Sequence, residues 1–254
     1  MDLKFQTRFN SDTMKKVLFN GLGSALMIII GLALYAFLNT WGKTNLEIRI
    51  RINEKLVHES NFGESPTFAI WLENPETNKI RPVYVTYRAA ENDWEGKAEI
   101  PVALPKWFEI QKVRTNSGSN LDDVDGYSGA TPEPGYFTVN ANLDPDSKWI
   151  YWIEVNLAGD FNEYYPINIE GEHDMDEFLS GQPAILYRSE EFTAIIGKTV
   201  KVSVVGMTIS GSANGNIIQP LKGITTATEI LDEIRISVVK PKPRIIQKKV
   251  LMIK

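Results

Sequence analysis

The chain contains no cysteine. That excludes disulfides, thiolate zinc sites, iron–sulfur clusters and the Cys-x-x-Cys-His attachment of c-type haem. Any electron handling would fall to a non-cysteine cofactor. An oxidising compartment stays open, because extracytoplasmic residence permits disulfides without requiring them. Histidine is scarce: His58 and His173 are the only two, far apart and without a His-x-x-x-His pair. A zinc hydrolase is therefore not expected. Basic charge is also short, with 27 Lys and Arg against 32 Asp and Glu and a net charge of -5. Phosphate binding needs a basic footprint, so nucleic acid is not an expected partner. There is no glycine-rich nucleotide loop and no G-x-S-x-G elbow to support a serine hydrolase.

What is present begins with a long apolar run. Residues 17–42 carry no charge. As a helix, 17–38 would span roughly 33 Å, about the thickness of a bilayer core. Lys15 and Lys16 directly precede it, with Lys4 and Arg8 further back. Tyr35 and Trp41 lie toward its far end, where interfacial aromatics belong. Lys43, Arg49 and Arg51 weaken the charge asymmetry, but the N-terminus still reads as cytoplasmic. The run is long for a signal peptide, and no small-x-small cleavage site closes it. The expectation is an uncleaved anchor over 17–41, following a cytoplasmic segment over 1–16. Gly21, Ser24 and Gly31 leave room for a neighbouring helix.

Past Trp41 the pattern changes to a period of two. Leu46, Ile48, Ile50 and Ile52 alternate with Glu47, Arg49 and Arg51, which predicts a half-buried strand. Further strands are predicted at 67–73, 82–87, 137–141, 149–157, 164–169, 184–188, 199–207, 234–239 and 245–253. Only 175–179 and 226–231 look briefly helical. Short strands separated by turn clusters predict a mainly β fold, an antiparallel Ig-like sandwich over 42–239. One compact unit is expected; the alternative is two sub-sandwiches with a seam near 170–176. After Glu233 every charged residue is basic: Arg235, Lys240, Lys242, Arg244, Lys248, Lys249 and Lys254. The stretch 240–254 reads either as a last strand or as a tail that docks on a neighbour or an anionic surface.

The most informative stretch is Asp125-Gly126-Tyr127-Ser128-Gly129-Ala130-Thr131-Pro132-Glu133-Pro134-Gly135-Tyr136. It follows TFAIWLE at 67–73 and Leu104-Pro105-Lys106-Trp107, and it precedes WIYWIEVN. In that order, the segments resemble the bacterial envelope family catalogued as domain of unknown function 2271, over roughly 67–168. GQPAILY at 181–187 is similar to a segment that accompanies some such proteins. The resemblance implies a periplasmic setting beside flavin-dependent electron-transfer proteins.

Asp125, Ser128, Gly129, Ala130 and Thr131 also resemble the D-x-x-[ST]-G-A-T acceptor motif of covalently flavinylated proteins. That resemblance implies FMN joined through its phosphate to the Thr131 hydroxyl. Gly129 and Ala130 would let the phosphate approach the backbone, and Ser128 with loop N–H groups would hold its oxygens. The flavin itself would carry the redox chemistry. Here Pro132-Glu133-Pro134-Gly135 follows and leads into a strand, where the usual motif often runs into a helix. The alternative reading is a structural turn, closed by Asp125 and Ser128 side chains and opened into the next strand by Pro134-Gly135.

Other groupings are weaker. Asn120, Asp122, Asp123 and Asp125 make an acidic loop without EF-hand spacing. His173 stands among Glu170, Glu172, Asp174, Asp176 and Glu177, an outer-surface cation candidate. Trp71, Trp94, Trp107, Trp149 and Trp152 offer stacking surfaces for sugars, although Trp149 and Trp152 must face opposite sides of one strand. No catalytic residue and no metal site is predicted. The expected function is a membrane-anchored extracytoplasmic accessory or assembly subunit of an envelope complex, in an electron-transfer setting. Its expected partners are other membrane-complex subunits. The alternatives are an electron carrier with FMN on Thr131 and a carbohydrate- or protein-binding envelope module.

Overall fold

The computed structural model describes residues 11–87, 89, 103–116, 127–129, 131–166, 181–209 and 214–242. The apolar run forms α1 (Ser11–Thr40). Its segment Gly21–Leu38 has a mean hydropathy of 2.2 and is long and apolar enough to cross a membrane. No polar stripe interrupts it: Leu22, Met27, Ile29, Leu34 and Leu38 are all more than half exposed. A helix apolar on every side is suited to lipid rather than to the surface of a soluble domain.

The remaining described chain is a β-sandwich. Its strands are β1 (Thr44–Ile52), β2 (Thr67–Glu73), β3 (Ile80–Thr86), β4 (Tyr127–Gly129), β5 (Gly135–Leu143) and β6 (Lys148–Asn156). They continue with β7 (Ala184–Ser189), β8 (Phe192–Thr193), β9 (Thr199–Val200), β10 (Val202–Thr208) and β11 (Leu231–Val239). The smaller sheet runs β5-β1-β11-β9, and the larger runs β10-β7-β6-β2-β3-β4 with β8 beside β6. Among the described residues every strand pair is antiparallel except β3 with β4.

The period of two in β1 does what it predicts. Leu46, Ile48, Ile50 and Ile52 are completely buried, while Arg49 and Arg51 are exposed. They belong to one core with Phe68, Ile70 and Leu72 of β2 and Tyr151, Ile153 and Val155 of β6. Each such side chain contributes about 1.5–3 kcal/mol by leaving water.

Both flanks of the sandwich are closed by chain crossovers. The stretch 131–134 leads the chain from edge strand β4 of the larger sheet into edge strand β5 of the smaller. On the other flank, Lys201 alone separates β9 in the smaller sheet from β10 in the larger. The single strand predicted at 199–207 is therefore two strands that serve different sheets. Its apolar residues feed both, so composition alone does not reveal the break.

Two helices depart from expectation. α2 (Glu54–Glu59) is capped by Asn53, whose side chain accepts the Leu56 N–H at 3.2 Å. α3 (Pro105–Asn116) covers the outer face of the larger sheet. Of the strand predicted at 164–169, residues 164–166 form no strand, and 167–169 lie outside the described residues. The brief helix predicted at 226–231 is a 3-10 helix over Ala227–Glu229, and Leu231 already belongs to β11. The acidic seam at 170–176, the helix at 175–179 and the strand at 245–253 lie outside the described residues.

Candidate functional site

The flavinylation-like stretch sits on an edge of the larger sheet. Ser128 and Gly129 fall in β4, opposite Val85 and Thr86 of β3. Thr131 is half-buried and lies outside regular structure, on the crossover toward β5. Asp125 and Ala130 lie outside the described residues. A Cβ on Gly129 would come within 3.1 Å of the Tyr84 hydroxyl oxygen. Gly129 therefore has a packing reason to be small, independent of any ligand. Tyr84 packs in the core beside Phe68 and Phe137 in tilted ring contacts, with centroids at 5.5 and 4.7 Å. Burial pushes its phenol up to about 12, so it stays protonated at ordinary pH.

The strand register extends inward from this edge. Ser128 stands in one row with Val85, Ala69, Glu154 and Leu186, across β4, β3, β2, β6 and β7. Glu154 is fully buried in that row. Its carboxylate accepts the backbone N–H groups of Lys106 at 3.1 Å and Trp107 at 2.8 Å. The Thr208 hydroxyl donates to it at 2.6 Å. Pro105 opens α3 without an N–H, so Lys106 and Trp107 carry the next orphan donors of that helix end. Glu154 thus caps α3 from a strand nearly fifty residues away. Loss of solvation pushes its carboxyl up to about 7, against the lowering effect of Thr208, Trp107 and Lys106.

Two residues along the same face, Arg188, Trp152 and Trp71 form a second row. Trp71 and Trp152 stack at 5.9 Å and 7°. Trp107 of α3 lies against Trp71 at 5.8 Å, and Arg188 lies over Trp152 at 5.1 Å. The Trp152 indole N–H donates to Glu73 at 2.7 Å. Trp107 Nε1 finds no acceptor among the described residues. The carboxylate's bonds are all internal, so this layer fixes the position of α3. In sequence, α3 leads toward the Asp125–Thr131 motif.

The other predicted groups are dispersed. Trp71 and Trp107 are buried, and Trp149 is in the inter-sheet core. They present no ring to a sugar; Trp152 is only half-buried. His58 is an exposed residue of α2, 4.0 Å from Glu54. Trp94, Asn120, Asp122, Asp123 and the acidic residues around His173 lie outside the described residues. Among the described residues no cluster of three metal-ligating side chains occurs.

Sequence reasoning missed Glu154 and α3. The signal for Glu154 was present: it is the lone charge inside an otherwise apolar strand, KWIYWIEVN, past the leading Lys148. A second polar knot involves Gln182, from the 181–187 segment. Gln182 Oε1 accepts the Thr225 N–H at 2.7 Å, and its amide donates to the Thr226 hydroxyl. That hydroxyl donates in turn to Asp160 at 2.7 Å. Burial raises the Asp160 carboxyl. The knot ties three loops together through internal bonds. Comparison with family models, with curated proteins and with solved structures finds no match to this chain.

Proposed function

We propose that this chain is a membrane-anchored, extracytoplasmic accessory subunit of an envelope complex in an electron-transfer setting, with no catalysis of its own. The observation that carries this reading is α1, whose Gly21–Leu38 segment suits a bilayer by length and composition. Lys15 and Lys16 before that segment favour a cytoplasmic N-terminus and an extracytoplasmic sandwich. The resemblance of 67–168 to the envelope family supplies the electron-transfer setting. The test is purification from the native host in mild detergent, with identification of co-eluting chains. Other membrane subunits should co-elute. A protein that always elutes alone as a monomer refutes the reading.

A second reading is an electron carrier with FMN on Thr131. It is favoured by one observation: Thr131 lies outside the strands, on a crossover at a sheet edge and only half-buried. Intact mass and in-gel fluorescence of native protein test it. The adduct should be present and should vanish in Thr131→Ala while the fold is retained. Unmodified native protein removes this reading and leaves the first in place.

A further inference from the structure

One end of the sandwich is defined by where the chain enters it. Thr44, the first residue of β1, pairs with Leu143 at the end of β5, and Asn45 pairs with Val239 at the end of β11. The turn at 195–198 is bound to this same end. Gly197 N–H donates to Val238 O and Val238 N–H to Lys198 O, both at 2.8 Å. Ala194 N–H donates to Ser147 O at 2.9 Å, and Lys198 N–H closes the turn on Ile195 O at 3.1 Å. Gly197 takes the positive φ of 92° that the turn requires.

At the tip of this fixed turn two adjacent isoleucines face outward. Ile195 is 52% exposed and Ile196 47%. Single exposed apolar residues are ordinary, but an apolar pair held at a rigid tip marks a contact surface. Lys198 lies in the turn, and Lys240 and Lys242 follow β11 in sequence; all three are exposed and without an ion pair among the described residues. Some acidic groups at this end are paired. Asp144 pairs with Lys43, and Glu76 and Glu191 pair with Lys148 at 3.2 and 3.7 Å. One lysine serves both glutamates, so with Asp146 and Glu190 the acids named here equal Lys43, Lys148, Lys198, Lys240 and Lys242 in number. The sequence then continues with Arg244, Lys248, Lys249 and Lys254 and no acid.

The occupant follows from chain length and charge. Only residues 41–43 separate the last helical residue, Thr40, from β1. Four peptide steps reach at most about 14 Å. A bilayer that holds the apolar helix is therefore within reach of this strand end. We propose that the turn at 195–198, with Lys240 and Lys242, is a second membrane contact. In it, Ile195 and Ile196 enter the interface of an anionic lipid bilayer while Lys198, Lys240 and Lys242 meet its headgroups. The proposal rests on the anchoring reading above and adds a surface of the sandwich to it.

The absence of cysteine makes the test clean. The full chain carrying Ile196→Cys is labelled with an environment-sensitive dye and reconstituted into vesicles containing nitroxide-labelled lipid. Lys55→Cys, on α2 beyond the opposite end of β1, is the control. Vesicles are either phosphatidylcholine or phosphatidylcholine mixed with phosphatidylglycerol. The label at 196 should be quenched in the anionic vesicles and the label at 55 should not. Replacing Lys198, Lys240 and Lys242 by Ser should lower the docked-to-undocked ratio about fivefold per lysine. Protein that floats with vesicles while the label at 196 stays unquenched overturns the docking and leaves anchoring intact. Equal quenching in neutral vesicles, insensitive to the lysines, overturns the anionic contact. Shielding of the label that requires an added native subunit overturns the lipid in favour of a protein. Failure to float overturns anchoring, and this inference with it.

Discussion

Glu154 decides how the outer layer responds to pH. With an ordinary value of 4.5 and a folded value of about 7, the folded state keeps a proton that the unfolded state has released. Its contribution to stability is fully present below the unfolded value and is lost as pH rises through the folded one. Between about pH 4.5 and 7, wild type should therefore lose stability, by an amount on the order of 3 kcal/mol from this group. Glu154→Gln carries no titrating group, so its denaturation midpoint in mild detergent should be flatter across that window. A variant with the unchanged wild-type slope would show that another group sets it. Glu154→Ala leaves two buried N–H groups and the Thr208 hydroxyl without an acceptor. It should cost about 2–4 kcal/mol, read as a lower denaturation midpoint.

At the scale of elements, α3 is held by two devices: the carboxylate at its first turn and the indole stack beneath it. Trp71 is the hinge of the stack, since it touches both Trp107 and Trp152. Trp71→Ala should cost about 3–5 kcal/mol and reduce the near-UV circular dichroism of the indoles. Trp152→Ala, half-buried and sharing its face with Arg188, should cost less than half of that; an equal loss would contradict the layering described. These elements also show what the sequence could and could not say. β1 was legible because its alternation depends only on its own residues. α3 was not, because its N-terminal cap comes from β6 rather than from a Ser, Thr, Asp or Asn preceding Pro105. The split at Lys201 was hidden because both sheets bury apolar side chains. For the candidate site, the Asp125–Thr131 pattern was readable as chemistry. Its place at a sheet edge was not, since the parallel pairing of β4 with β3 joins segments some forty residues apart.

At the scale of the whole molecule, the apolar helix and the sandwich draw on different physics. The sandwich core begins at Leu46 and is assembled from strands and loops that follow it. The helix has exposed apolar side chains and is long and apolar enough to cross a membrane. A charge at its centre should therefore damage membrane residence and leave the sandwich folded. Ile29 is 62% exposed near the middle of Gly21–Leu38. Ile29→Arg raises the insertion cost by about 2.5–3.5 kcal/mol, whereas Ile29→Leu changes it little. Alkaline extraction of membranes should release a substantial fraction of the arginine variant and none of the leucine variant. The released protein should keep the near-UV circular dichroism of wild type, because Trp71, Trp107 and Trp152 lie in a layer built from β2, β6 and α3. Full retention of Ile29→Arg in alkali-washed membranes would mean that something other than this helix holds the chain there. The turn at Ile195 and Ile196 would then be the next place to look.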